Sequence, residues 1–378
     1  MDHPLPSLAS EVAGLIRARP EQVSLGAFHD LAARLLAAQR SLNPAYAAWC
    51  AASRARPSHG IDADGGYPAV PTEAFKQAAF SCIPAGSHTT EFRSSGTTAH
   101  VPSRHLHHDG SLALYKASAM AGFERHVMQG VGHGTARSNG ATPLLLSLTP
   151  PLHEAPHSSL VHMLHWAVQL HGGPGSVFVG TRCHDGTWET HADAALNAIS
   201  EACSSLRPVV LMGTAFNLVH LLDDLARRNL RVSLPPGSRI METGGYKGRS
   251  RELSRSDLHA MASVALDLPV TSLITEYGMT ELGSQAYDRP AGPEPHDPQH
   301  RPGILHFPHW ARATVLSPET GREVADGASG IVEVLDLANV WSVAKIRTSD
   351  LAIRRGTGFE LLGRAPAAEP RGCSRMNP

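Results

Sequence analysis

The segment ITEYGMTELGSQAY (274–287) decides the fold. It begins as an apolar, β-branched strand and ends on Tyr277, Gly278, Met279, Thr280 and Glu281. A strand end that delivers an aromatic ring, a hydroxyl and a carboxylate suits a nucleotide site. The ring can stack on a base, the hydroxyl can bond a phosphate, and the carboxylate can hold Mg²⁺. Taken alone, the same residues also read as a strand-to-helix turn with a capping Thr280 and a first-turn Glu281.

Upstream, short apolar strands alternate with amphipathic helices. TPLLLSLTP (142–150), SVFVG (176–180), PVVLMG (208–213), RIMETGG (239–245) and PVTSLITEYG (269–278) read as strands. Between them, 158–170, 191–203, 215–229 and a stretch around 254–265 carry helical spacing. This alternation predicts an α/β fold with a largely parallel sheet flanked by helices. Downstream, GILHFP, ARATVLS, GIVEVLDL and KIRTSDLAI are short strands between Pro/Gly turns, so a more antiparallel β region follows. Residues 6–53 are helical by period, and a helix is expected from Asp109 to about Met128. The division expected is a helical segment over 1–70, an α/β core with the ATP motifs over 71–300, a β-rich subdomain over 301–362 and a tail over 363–378.

The chain has 378 residues, 42% hydrophobic and 18% charged, with a formal net charge of −1. Nothing in that balance draws it to nucleic acid or to an anionic membrane. Its N-terminus does not read as a signal peptide, and no apolar run approaches bilayer length, so a cytoplasmic location is expected. The five cysteines have no close pair, which argues against a disulfide framework or a zinc module. Of the 23 histidines, His105, His107 and His108 form one cluster and His153, His157, His162 and His165 another. Neither has a recognised ligand spacing, and both read as structural or surface residues.

Three further segments add chemistry. EFRSSGTTAHVPSRH (91–105) sets Ser/Thr hydroxyls and backbone N–H groups around Gly96, as a phosphate loop requires, although it is not a Walker P-loop. METGGYKGRSRE (241–252) ends a strand on paired glycines. IRTSDLAI (346–353), followed by LLGRA (361–365), places Asp350 just after a strand, with Arg364 in reach of ribose or phosphate. In this order the phosphate loop, Y-G-x-T-E, the strand aspartate and G-R resemble the adenylate-forming superfamily of acyl-CoA synthetases, luciferases and peptide-synthetase adenylation domains. The resemblance runs from 92 to 364. Within the superfamily, 149–163, 241–252, 277–287 and 361–374 are similar to the acyl-protein synthetase (LuxE-like) branch.

That resemblance implies the large N-terminal domain of the superfamily, with mixed sheets, a β-rich C-terminal subdomain and no small C-terminal domain. Ser94, Ser95, Gly96, Thr97 and Thr98 would wrap the ATP phosphates, and Gly244 and Gly245 would line the adenine pocket. Tyr277 and Gly278 would pack by the base, Thr280 would bond the α-phosphate, Glu281 would coordinate Mg²⁺, and Asp350 with Arg364 would hold the ribose. Lys247, beside Arg249, is the candidate for basic charge neutralisation. The acid would lie near Trp166, Met212, Phe216 and the 243–246 loop. The superfamily's loop lysine is absent here, Arg104 being the nearest cation. In the acyl-protein synthetase branch the acyl group passes to a cysteine near the C-terminus, a position that Cys373 matches. The function implied is ATP- and Mg²⁺-dependent activation of a carboxylic acid, a fatty acid or similar, with transfer to a protein thiol of a reductase or carrier protein. The alternatives are a stand-alone acyl- or aryl-CoA or carrier-protein ligase, and an inactive nucleotide-binding partner subunit.

Overall fold

The structure, a computed structural model, describes residues 4–53, 66–94, 101–131, 142–244, 253–288 and 303–365. Helices α1 (Pro4–Arg17), α2 (Leu25–Leu42) and α3 (Pro44–Ser53) come first. Then follow β1 (Val70–Pro71), the hairpin strands β2 (Thr90–Arg93) and β3 (Arg104–His107), and α4 (Asp109–Phe123). The α/β region comprises β4 (Leu144–Ser147), α5 (Ser159–His171), β5 (Val177–Phe178), β6 (Gly180–Arg182), β7 (Trp188–Thr190), α6 (Ala192–Ser204), β8 (Val209–Thr214), α7 (Ala215–Arg227), β9 (Arg239–Thr243), α8 (Arg255–Leu266), β10 (Leu273–Tyr277) and β11 (Ala286–Tyr287). The C-terminal strands are β12 (Ile304–Leu305), β13 (Ala311–Leu316), β14 (Ser329–Asp336), β15 (Lys345–Arg355) and β16 (Gly358–Arg364).

One six-stranded sheet has the order β11-β10-β9-β8-β4-β5, parallel throughout except at the β11 edge. Helices cover both faces, so β4, β9 and β10 are buried along their whole length and carry no polar-out alternation. Odd and even residues serve different cores. Ile240 and Leu273 pack under α6, α7 and α8, whereas Met212, Met241 and Ile274 pack under α4 and α5. Helix starts follow side-chain capping: Ser158, Thr214 and Ser254 accept from the backbone N–H three residues on.

The second sheet, β12-β16-β15-β14-β13, is antiparallel, with β1 added in parallel beside β15. The apolar stripe of α1 and α2, including Leu5, Val12, Phe28 and Leu35, joins one core with Val334, Ile346 and Phe359 of this sheet. The N-terminal helices therefore pack on strands about 300 residues away in sequence; Gln39 Nε2 donates to the Asn339 carbonyl at 2.7 Å and Gln39 Oε1 accepts from Ala344 N–H at 3.0 Å.

Three boundaries differ from the sequence expectation. The strand expected from Pro269 begins at Leu273, because Val270–Ser272 form a 3₁₀ turn after the proline. The strand expected to reach residue 245 stops at Thr243, where Gly244 takes φ +72° and turns the chain. Helix α4 ends at Phe123 and continues as a π turn over Glu124–Met128. The apolar segments around Cys50, Cys82, Cys183 and Cys203 suggest four core cysteines; Cys50 and Cys82 are buried, but Cys183 and Cys203 are partly exposed.

Candidate active site

Tyr277 and Asp350 come from different sheets and meet. Tyr277 ends β10; its ring lies edge-on to Phe359, 5.4 Å between centroids, and its hydroxyl donates to Asp350 Oδ2 at 2.7 Å. Asp350 pairs across the β15–β16 ladder with Arg364, an exposed residue. Burial raises the Asp350 carboxyl, while the Tyr277 hydrogen bond and the Arg364 charge pull it back down. The same burial, reinforced by the Asp350 charge, holds the Tyr277 phenol well above its ordinary range, so it acts only as a hydrogen-bond donor.

The hairpin β2–β3 carries the Ser/Thr/Gly loop. Ser94 closes its base: Ser94 N–H donates to the Ser103 carbonyl at 3.1 Å and its Oγ accepts from Ser103 N–H at 3.0 Å. The base is tied to the loop before α5, because Arg93 N–H donates to the His157 carbonyl and His157 Nδ1–H donates to the Glu91 carbonyl, both at 2.9 Å. Across from it lies the turn after β10. His105 Nδ1–H donates to the Thr280 carbonyl at 2.9 Å; burial lowers this imidazole to about 4, so it stays neutral. Glu281 is 5% exposed, and burial is the main cause raising its carboxyl. The Ser103 hydroxyl and Arg364 oppose that shift, and the Glu73 carboxylate adds to it. Ser94, Thr280, Glu281, Tyr277, Asp350 and Arg364 thus gather around one edge, with Gly278 exposed between them. Gly244 lies one residue beyond Thr243, which is in register with Glu276.

Ser95, Gly96, Thr97, Thr98, Gly245, Lys247 and Cys373 lie outside the described residues. Trp166 and Met212 share one core, but Phe216 does not join them: its ring packs on His220 at 4.4 Å, facing a groove with Trp188 and Arg227 on the other side of the sheet.

Three features escaped the sequence reading. Asp336, at the end of β14, accepts from Gly283 N–H at 2.8 Å, Ser284 Oγ–H at 2.6 Å and Ala338 N–H at 3.0 Å. Asn339 Nδ2 donates to the Glu281 carbonyl at 2.8 Å. Together they clamp the turn that carries Thr280 and Glu281 onto the second sheet. Glu73, on a 3₁₀ turn over Thr72–Lys76, bonds Ser349 and acts electrostatically on both Asp350 and Glu281. None of the three lies in a motif; an aspartate closing the strand GIVEVLDL was the one visible sign.

Among the described residues no three His, Cys, Asp or Glu side chains converge as a metal cage. Mg²⁺ commonly takes one or two carboxylates and completes its shell with phosphate oxygens and water. The buried Glu281 carboxylate has the chemistry for that share.

No protein-family model matches the chain. In fold it is similar to 2-hydroxyisobutyryl-CoA ligase in its postadenylation state with R3-HIB-AMP, with a TM-score of 0.59 and 13% identity over 89% of this chain and 67% of that one. The same ligase with 2-HIB-AMP and CoA in the thioesterification state gives a TM-score of 0.58 and 14% identity over the same shares. The fold is that of the large domain of adenylate-forming enzymes. In sequence the chain is similar to the long-chain-fatty-acid–luciferin-component ligase of Aliivibrio fischeri, at 26% identity over 184 residues. That match covers 45% of this chain and 45% of the relative, so the chain spans less than half the length of the curated relative it matches. The fold is thus similar to that of an acid–CoA ligase, and the sequence match to a long-chain-fatty-acid–luciferin-component ligase is in keeping with the resemblance that the motifs carry.

Proposed function

We propose that the chain activates a carboxylic acid with ATP, forming an acyl-adenylate and pyrophosphate, and passes the acyl group to a thiol. The observation that carries this reading is the convergence of Tyr277, Asp350 and Arg364 with the Ser94–Ser103 hairpin base and the Thr280–Glu281 turn. Asp350 has one carboxylate oxygen on Tyr277, and its other oxygen can accept from ribose hydroxyls, with Arg364 beside it. Gly244 and Gly245 leave the base room against the backbone, and Ser94 through Thr98 supply donors to the phosphates.

The acid's carboxylate oxygen attacks the α-phosphorus and the bond to pyrophosphate breaks. Two anions must approach, so the protein's task is alignment and charge neutralisation. Thr280 donates to the α-phosphate, and Lys247 supplies fixed positive charge. Mg²⁺, held on Glu281, would add further neutralisation. The thiol sulfur then attacks the acyl carbon and AMP leaves; Cys373, flanked by Arg371 and Arg375, is the assigned acceptor. Onward transfer to a reductase, a carrier protein or CoA completes the cycle. The relative's printed name supplies a long-chain fatty acid as one candidate substrate.

Exchange of labelled pyrophosphate into ATP over a panel of acids tests the first half, and the absence of exchange with every acid contradicts it. Cys373→Ser tests the second half. Intact exchange with loss of acyl-protein supports the cysteine route, whereas unchanged acyl transfer assigns the acceptor to CoA or a carrier thiol.

A further inference from the structure

Behind Tyr277 the sheet edge is polar where an acyl chain would need it apolar. Side chains alternate along β10, so Glu276 points under α4 and α5, the face opposite Tyr277. It is 4% exposed, and among the described residues only Thr243 donates to it, at one oxygen. The other oxygen, Oε1, occupies the space above Gly278, where an added Cβ would come within 2.5 Å. Across the β10–β11 ladder Glu276 stands directly opposite Tyr287, whose buried hydroxyl has no hydrogen-bond partner among the described residues. Gln285 contacts the Gly278 position with its Cγ and turns its Nε2 to Tyr115 Oη at 3.4 Å, leaving its own buried Oε1 without a partner among the described residues. Glu276 and Gln285 thus flank Gly278 just past the end of β10, and Tyr287 stands opposite Glu276 with its ring against Gly122 and His126 of the α4 region. Deeper on the same face, Met212, Met241 and Ile274 pack in one core with Trp166 and Tyr115.

A saturated chain entering there would leave buried polar atoms without partners, a cost that native interiors avoid. A group with hydrogens to donate would satisfy them. We propose that the acid activated by this chain is compact and carries a hydrogen-bond-donating substituent, an amine or a hydroxyl, that Glu276, Gln285 and Tyr287 recognise. A plain long-chain fatty acid does not meet this requirement. The inference rests on the acid-activating reading and names the substrate class for it. Sites built to bond a polar group reject the analogue that lacks it, because their own groups are then stranded.

The test is pyrophosphate exchange by the full chain with 4-aminobenzoate, 4-hydroxybenzoate, benzoate and tetradecanoate. The expected result is at least about a tenfold higher kcat/KM for one of the two substituted acids than for benzoate or tetradecanoate. Which of the two leads distinguishes amine from hydroxyl recognition. In Glu276→Gln and Tyr287→Phe, both near in shape to the native residue, the ratio of substituted acid to benzoate should collapse while both variants stay folded, with cooperative thermal unfolding. Exchange that prefers tetradecanoate or benzoate, or a preference that survives both substitutions, overturns the inference and leaves the acid-activating reading standing. The absence of exchange with these four acids and with every acid of a wider panel overturns both.

Discussion

Tyr277 shows how much a single residue can hide. Its place in Y-G-M-T-E is legible in sequence, but its buried ring against Phe359 and its hydroxyl on Asp350 are not, because those partners lie more than 70 residues downstream. Removing the hydroxyl leaves a partly buried carboxylate short of a donor. Tyr277→Phe is expected to cost about 1–3 kcal/mol, read as a lower midpoint in urea, and to raise the KM for ATP. Asp350→Ala should weaken ATP further while leaving the fold in place, because its side chain is only part-buried. Nucleotide protection against thermal unfolding would show this directly.

Glu276 supplies a pH prediction. Burial raises its carboxyl to about 7, with the nearby Glu242 charge acting the same way and the Thr243 bond against it. The folded chain therefore keeps a proton that the unfolded chain releases above its ordinary range near 4.5, and Glu276 costs stability as pH rises from about 5 to about 8. Buried Asp336, raised to about 6, has the same sign, whereas His105, lowered to about 4, has the opposite one below neutrality. The difference between Glu276→Gln and the native chain isolates the effect. The variant should gain up to roughly 3 kcal/mol at pH 8 relative to pH 5 in urea unfolding, and a flat difference would contradict the burial assigned to Glu276.

At the scale of elements, the α/β alternation was readable because period and capping agree. LLLS, VVLMGT and RIMET are strands too apolar to face water, and α5 and α7 between them start at Ser158 and Thr214 caps. The site's supports were not readable, since Asp336 and Asn339 act through a turn more than 50 residues away. Asp336→Ala strands the Gly283, Ser284 and Ala338 donors and is expected to destabilise by about 2–5 kcal/mol. It should also impair pyrophosphate exchange, because the Thr280–Glu281 turn loses its clamp. Asp336→Asn keeps an acceptor for part of that set and should fall between the two.

For the whole molecule, the informative feature is that the first and last elements share a core. Helical spacing predicted α1 to α3, but nothing local in Phe28, Leu35 or Gln39 says that they lie against β14 and β15. Leu35→Ala is expected to cost about 2–5 kcal/mol, and removal of 1–53 should expose the apolar face of the second sheet and yield insoluble protein. The site spans both halves, with Tyr277 from the parallel sheet and Asp350 and Arg364 from the antiparallel one, so that destabilisation should weaken ATP binding in proportion. No described helix is long and apolar enough to cross a membrane.

Carboxylate attack at the α-phosphorus of ATP leaves an isotopic trace. An acid whose carboxylate oxygens carry a heavy isotope is supplied, and the products of turnover are analysed by mass spectrometry. One labelled oxygen is expected in the released AMP, carried there when the thiol displaces it from the acyl group. Label in inorganic phosphate, or AMP without label during acid-dependent turnover, would contradict it.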